Sequence, residues 1–191
     1  MSEPVPTTEM TAPPARELPG TRAPRRHVLV VIVNNRPGVL NRVASLMRAR
    51  NFNIESLAVS HLEDPDISRM TVTLHGDDMN VEQASKQLYK LIDVLKVQDV
   101  TDAPTVQHEL LLLKVRVTER NRGELISIVE MARARIVDLT AESAIIEAAG
   151  PEAALDALIA LFRGYGIKEL VRTGTVVMSR GAGSIEEETR R

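Results

Sequence analysis

The chain reads Asn34-Asn35-Arg36-Pro37-Gly38-Val39-Leu40 directly after the apolar run of residues 28–33. Pro37 suits the first turn of a helix because it lacks an N–H and has a fixed φ, and an asparagine before it can cap free backbone donors. Gly38 leaves a gap beside the positive end of that helix. Such a gap can seat a carboxylate. The stretch therefore predicts a strand, a tight loop and a helix start, with a small-anion pocket at the loop.

The same residues have a second interpretation. Asparagine and proline often begin helices without any ligand, and Gly38 would then serve close packing alone. Short motifs of this kind also recur by chance. The loop by itself does not decide between these interpretations.

Composition excludes several classes of function. The 191 residues are 43% hydrophobic, enough for one large or two small cores. With 24 Lys and Arg against 26 Asp and Glu, the chain lacks a net field that would gather nucleic acid or an anionic membrane. The absence of cysteine excludes disulfides and thiol catalysis. Since no apolar run is long enough to cross a bilayer, we expect a soluble, cytoplasmic protein with no nucleic-acid or membrane partner.

Residues 1–26 differ from the rest of the chain. They hold six of the ten prolines and show no apolar periodicity, which predicts a disordered extension. The segment lacks the apolar core of a signal peptide, and its acidic residues argue against a transit peptide.

Residues 27–101 alternate between strand and helix patterns. The order is strand, helix, two strands, helix and strand, with a turn at residues 63–66. This βαββαβ order predicts a ferredoxin-like sandwich of one sheet and two helices. The first strand is apolar on both faces, although the two helices cover only one face. We therefore expect a second copy of the chain to cover the other face, and hence a homodimer.

The order of elements repeats in the second half. Residues 102–106 lack periodicity and predict a linker, and residues 107–181 again show the patterns of a ferredoxin-like domain. The sequence thus predicts an α+β protein with two ferredoxin-like (βαββαβ) domains in tandem, followed by a flexible tail at residues 182–191. Nothing in the second half matches residues 35–40, so a ligand at that loop would be particular to the first domain.

Several motifs resemble one known family. The loop Asn35-Arg36-Pro37-Gly38-Val39-Leu40 is similar to the ligand loop of ACT domains, which sense amino acids. Further motifs at matching spacing resemble the regulatory (small) subunit of acetolactate synthase. These motifs are Asn53-Ile54-Glu55-Ser56-Leu57, Ser68-Arg69-Met70-Thr71, Arg122-Gly123-Glu124-Leu125 and Arg172-Thr173-Gly174. The resemblance covers residues 27 to 181, and it identifies the first domain as an ACT domain.

The resemblance implies a regulatory role without catalysis. In that family the small subunit activates a catalytic (large) subunit and confers feedback inhibition by valine in branched-chain amino-acid biosynthesis. The resemblance implies no catalytic residue, metal or cofactor in this chain, and it assigns thiamine diphosphate, Mg and FAD to the catalytic partner. It also leads us to expect that residues 107–181 contact and activate that partner.

The resemblance further implies a valine site shared by the two chains of a dimer. One chain would provide the loop and its partner would provide the start of the second strand. The loop residues are Asn35, Gly38, Val39 and Leu40, and the partner's residues are Asn53 and Ile54. Loop N–H groups would bind the carboxylate, asparagine oxygens the ammonium, and apolar neighbours the isopropyl group.

The same fold is compatible with other functions. Gly38-Val39-Leu40-Asn41-Arg42 faintly resembles the phosphate loop of acylphosphatases, which use an arginine and an asparagine, so an acylphosphatase-like small hydrolase is the alternative. RNA recognition needs exposed aromatic residues on the first and third strands, and this chain has none there. The four histidines lack the spacing of metal ligands and are expected to be solvated or capped.

Overall fold

The structure, a computed structural model, describes residues 24–186 and contains two successive βαββαβ units. The first unit consists of β1 (Arg25–Asn34), α1 (Val39–Ala49), β2 (Ile54–His61), β3 (Ile67–Gly76), α2 (Asp78–Leu88) and β4 (Val94–Asp99). The second consists of β5 (Thr105–Arg116), α3 (Arg122–Met131), β6 (Arg135–Leu139), β7 (Ser143–Gly150), α4 (Glu152–Phe162) and β8 (Ile167–Arg172). One more strand, β9 (Val176–Ser179), follows. The prediction of two tandem ferredoxin-like domains is confirmed.

The first sheet has the strand order β2-β3-β1-β4, with antiparallel neighbours throughout. Alternate residues of β1 face α1 and α2, because side chains along a strand point to opposite faces in turn. The core on this side is aliphatic apart from two methionines. Its fully covered members include Leu29, Val31, Val33, Val43, Met47, Val72, Leu74, Val81 and Leu88.

The second sheet repeats this arrangement, with the order β6-β7-β5-β8. Its core lies between the sheet and the helices α3 and α4, and includes Leu111, Leu113, Val115, Leu125, Ile146, Leu155 and Phe162. β9 does not join the main path of this sheet but pairs with residues 105–108 at the start of β5. No helix within residues 24–186 is long and apolar enough to span a membrane.

The second face of β1 is covered by the same chain. Val28, Val30 and Ile32 are buried against Val177 of β9 and Ile185. The prediction that a second copy covers this face is therefore wrong. β5 is 12 residues long, and its first four residues precede the part that pairs with β7. β9 pairs with these four residues and thereby lies beside the first sheet. The homodimer itself stays a prediction.

The first strand begins earlier than predicted. Arg25 is already paired with Gly76 of β3, although it falls in the segment 1–26 that composition marks as disordered. Pairing along an established neighbouring strand outweighs the local composition here. The predicted disorder of residues 1–23 lies outside the described residues.

The predicted linker and tail also differ from the structure. Thr105 is the first residue of β5 because it pairs with β9, so the linker predicted at residues 102–106 is shorter. Ile185 is buried on the first sheet, although it lies in the segment 182–191 predicted to be flexible. Residues 187–191 of that segment lie outside the described part of the chain.

Candidate functional site

The loop after β1 is tied to its neighbours by hydrogen bonds. The backbone N–H of Asn34 donates to the carbonyl of Asp93 at 2.8 Å, and that of Asn35 donates to Asp66 at 2.7 Å. The side-chain Nδ2 of Asn35 donates to the carbonyl of Pro65 at 2.8 Å. Asn35 therefore joins the loop to the β2–β3 turn and does not cap α1, contrary to the prediction. Within the described residues its Oδ1 accepts no hydrogen bond.

Helix α1 begins with uncapped N–H groups. Gly38 is its N-cap residue, with a φ of 85° and no side chain to accept a bond. The Val39 N–H donates to the Arg36 carbonyl at 3.2 Å. By contrast, the N–H groups of Gly38, Leu40 and Asn41 have no acceptor anywhere in residues 24–186. Free donors at a positive helix end are the groups that bind a carboxylate.

The two apolar residues of the loop point in different directions. The Val39 side chain is 3% exposed and belongs to the core of the first domain. Its side chain and its N–H are both engaged inside the chain, so Val39 supports the loop from beneath. The Leu40 side chain is 44% exposed and provides apolar surface beside the free donors. Of the two, Leu40 alone is accessible to a ligand.

The remaining predicted residues lie at the opposite end of the sheet. Ile54 pairs with Leu74, which pairs with His27 near the start of β1, whereas the loop follows Asn34 at its end. Asn34 lies seven positions after His27 along the strand, a distance of about 23 Å at the usual rise. One chain therefore does not bring Asn53 and Ile54 to the loop.

Asn53 and Ile54 line an open cleft of their own. The cleft has a volume of about 290 Å³ and lies where α1 ends and β2 begins. Its other lining residues are Ala44, Arg48, Asn51 and Phe52. Arg48 is the one charged side chain in that lining, and sequence analysis did not single it out because it lies off the apolar stripe of α1. The cleft combines apolar walls with polar and cationic groups, as amino-acid sites do.

Arg42 does not present a free guanidinium. Its Nη2 donates to the carboxylate of Asp93, which is 4% exposed. Breaking this contact would leave a buried carboxylate without its cation, which is costly. The acylphosphatase-like alternative needs an arginine available to a phosphate, so the pairing argues against it.

One histidine differs from its expected setting. His27 is 1% exposed, with its Nε2 atom 3.5 Å from an Asp78 carboxylate oxygen and its Nδ1 atom 3.4 Å from the Thr101 hydroxyl. It is therefore buried at the start of β1, not solvated. Among residues 24–186 no group of three or more His, Cys, Asp or Glu side chains could hold a metal ion.

Comparisons with known proteins match both halves of the chain. Residues 29–96 match the family model of the AHAS small subunit-like ACT domain, and residues 108–181 match that of the small subunit of acetolactate synthase. The chain is 42% identical over 181 residues to the acetolactate synthase small subunit of Aquifex aeolicus, which covers 94% of each chain. It is 51% identical over 156 residues to a protein of Archaeoglobus fulgidus named "Probable acetolactate synthase small subunit", covering 82% of this chain and 98% of that one.

A solved structure agrees with these matches. The acetolactate synthase small subunit of Thermotoga maritima superimposes with a TM-score of 0.77 at 38% identity, over 83% of this chain and 99% of that chain. Two ferredoxin-like domains in tandem, the first an ACT domain, define the class of protein. The chain belongs to the acetolactate synthase small-subunit family, the regulatory subunits of that enzyme. This membership implies a catalytic large-subunit partner.

Proposed function

We propose that this chain activates the thiamine-diphosphate-dependent catalytic subunit of acetolactate synthase and makes it sensitive to feedback inhibition by valine. The observation that carries the proposal is the group of three free N–H donors at the start of α1. Family membership supports the choice of enzyme, and the loop supports a ligand with a carboxylate. In this proposal thiamine diphosphate, Mg and FAD belong to the catalytic subunit, and this chain contributes no catalytic residue.

The loop has suitable chemistry for an amino acid. The N–H groups of Gly38, Leu40 and Asn41 would donate to the carboxylate, and the α1 dipole would favour its charge. The Oδ1 atom of Asn35 would accept from the ammonium group, since its Nδ2 is already bonded to Pro65. The exposed Leu40 side chain would contact the aliphatic part of the ligand.

A homodimer would complete this site. β2 is an edge strand and runs parallel to β1, so the end of β2 at His61 lies at the loop side of the sheet. If a two-fold axis midway along β2 pairs this strand antiparallel with the same strand of a second copy, the partner's Ile54 would lie opposite His61. The partner's Asn53 and its cleft would then face the loop. The loop and the cleft are thus the two half-sites of the proposed valine site. This arrangement explains why they lie at opposite ends of the sheet within one chain.

Inhibition by valine would follow from linkage. Valine bound across two chains favours the dimer arrangement that brings the half-sites together. It inhibits the enzyme only if that arrangement supports the catalytic subunit less well than the valine-free one. In this proposal residues 107–181, which lack the ligand loop, contact the catalytic subunit.

Titration calorimetry of the full chain with valine, leucine and isoleucine tests the proposal, using the matched variants Gly38→Asp and Gly38→Asn. Both side chains tolerate a positive φ, and a Cβ at position 38 would lie 3.5 Å from Arg42 Nη1, an ordinary contact. The two variants therefore differ mainly in charge. We expect Gly38→Asp to bind valine at least about tenfold more weakly than Gly38→Asn, because its carboxylate repels that of the ligand. Equal affinities in the two variants would contradict the proposed seat.

A second measurement tests activation and the alternative function together. Adding the full chain to the purified catalytic subunit should raise its acetolactate synthase activity, and valine should reverse the increase. The chain alone should not hydrolyse acetyl phosphate. Hydrolysis that is lost in Arg42→Ala would instead support the acylphosphatase-like alternative.

A further inference from the structure

The end of the chain crosses from the second domain to the first. β9 pairs with residues 105–108, which precede the part of β5 that pairs with β7. From there Val177 and Ile185 reach the outer face of β1 and are both buried against it. We call residues 174–186 the strap.

Polar contacts fasten the strap along the first sheet. Arg69 of β3 donates to the Val177 carbonyl at 2.6 Å and pairs with the Glu186 carboxylate at 2.9 Å. Its side chain is 11% exposed, so these charge-assisted bonds are largely shielded from water. Lys96 of β4 donates to the Ile185 carbonyl at 2.9 Å. The apolar and the polar contacts therefore hold the same segment on the same face.

The strap begins in close contact with β2 and β1. Gly174 has a φ of 79°, and a Cβ added there would lie 3.0 Å from the Cβ of Ser56. The next residue, Thr175, accepts a hydrogen bond from Arg26 Nη2 at 2.6 Å and donates to Glu109 Oε1 at 2.8 Å. Arg26 lies near the start of β1, so the strap contacts this strand at its end as well as on its face.

Arg26 also joins a cluster of charges between the domains. It pairs with Glu55 of β2 at 3.2 Å and with Glu152 of α4 at 3.1 Å. The Glu109 carboxylate is 5% exposed and lies 3.9 Å from Arg26 Nη2. It also accepts a hydrogen bond from Arg172 Nε at 2.7 Å. A buried carboxylate held by cations from both domains is costly to separate from them. The two domains are therefore linked by ionic contacts as well as by the strap.

Arg172 remains a cation in this cluster. Burial by itself lowers the pKa of Arg172, but hydrogen bonds with Asp156 and Glu109 outweigh it and raise that pKa above the usual value. The guanidinium of Arg172 therefore keeps its positive charge beside the Glu109 carboxylate.

We infer that the strap couples the two domains into one allosteric unit and transmits a displacement of β1 to the second domain. The ligand loop follows one end of β1, Arg26 lies near the other end, and the strap covers its outer face. A shift of β1 must therefore move the strap or break its contacts, and packed interfaces favour discrete arrangements over gradual deformation. The matched family region ends at residue 181, so the contacts of Ile185 and Glu186 lie beyond it. The inference rests on the proposed function in one respect, since it takes valine as the ligand that displaces β1.

The test uses the full chain with Ile185→Asp, which puts a charge into the apolar contact. Ala182→Asp adds the same charge at an exposed position of the strap and is the matched control. Scanning calorimetry should show one unfolding transition for wild type and control, and two for Ile185→Asp.

An activity assay is the second measurement. Ile185→Asp should still activate the catalytic subunit and still bind valine. Half-maximal inhibition should need at least about fivefold more valine, the lower range of allosteric coupling.

The outcomes separate the two proposals. A wild-type chain that binds no valine contradicts the proposed function, while the number of calorimetric transitions still tests the strap. A single transition in Ile185→Asp, or undiminished valine inhibition of its complex, overturns the inference. If Ile185→Asp does not fold, Arg69→Met removes the hydrogen bond and the ion pair to the strap while leaving Ile185 in place. Two calorimetric transitions and the same increase in the valine concentration for half-maximal inhibition are then expected of Arg69→Met.

Discussion

At the scale of single residues, Gly38 and Gly174 both have a positive φ, for different reasons. Gly38 begins α1 without a side chain to cap it, and in the described part of the chain the N–H groups beside it have no acceptor. Gly174 begins the strap, where the backbone turns against Ser56. The sequence predicted a role for Gly38 in the loop because Asn35 and Pro37 precede it. The requirement at Gly174 depends on a residue more than a hundred positions away, so no local pattern indicates it.

Replacing Gly174 with alanine should destabilise the chain. A positive φ is strained for alanine, and its Cβ would be 3.0 Å from the Ser56 Cβ, so we expect a loss of about 1–3 kcal/mol in the free energy of unfolding. Urea denaturation measures it. Gly183→Ala is the control, since among residues 24–186 no non-neighbouring atom lies within 4 Å of the added Cβ and no positive φ is involved. Equal stability of the two variants would show that the contact is not tight.

At the scale of elements, the two helices of the first domain begin differently. Asp77 caps α2 by accepting from the Asn80 N–H at 2.7 Å. α1 has no side-chain cap at Gly38. A capped start satisfies its own donors, whereas an uncapped start leaves them for water or a ligand. The donors at the start of α1 are therefore open to a ligand, whereas the donor that Asp77 occupies at the start of α2 is not.

Removing the cap of α2 should therefore affect stability alone. Asp77→Ala is expected to lower the free energy of unfolding by about 0.5–2 kcal/mol, while Asp77→Ser keeps a capping oxygen and should lose less. Thermal denaturation of both variants measures the difference. Their valine affinity should equal that of the wild type. A change in affinity as large as that of Gly38→Asp would mean that the two helix starts are not independent.

At the scale of the whole molecule, the loop after β1 and the cleft at Asn53 lie at opposite ends of one sheet, and the two domains are joined by the strap. The first feature points to a site shared between copies, and the second to motion of both domains together. Neither follows from the order of elements, which would be the same for two domains on a free linker. Both concern contacts between segments that are distant along the chain.

Mixing two defective variants tests the shared site. Gly38→Asp and Asn53→Ala are each expected to bind valine poorly. If the chains exchange, a mixed dimer has one site in which both halves are wild type, so an equal mixture should recover about a quarter of the wild-type binding stoichiometry. Calorimetry after joint refolding measures this recovery. If each chain contained a whole site, every site would carry a defect and no binding would return.

The sequence by itself determined the order of strands and helices, the tandem ferredoxin-like domains, the loop after β1 and the family. These features depend on periodicities and motifs within a few neighbouring residues, which a single chain displays directly. The two apolar faces of β1 also indicated that both would be covered.

Only the tertiary structure decided what covers the outer face of β1, because alternation shows that a side chain is buried but not what lies against it. The same reason applies to Val39. The motif predicts that it lines the valine site, whereas its side chain lies in the core of the first domain. It applies as well to Arg42, whose partner Asp93 follows a different helix. In each case the deciding contact joins segments far apart in the chain, so it depends on the path of the backbone in space.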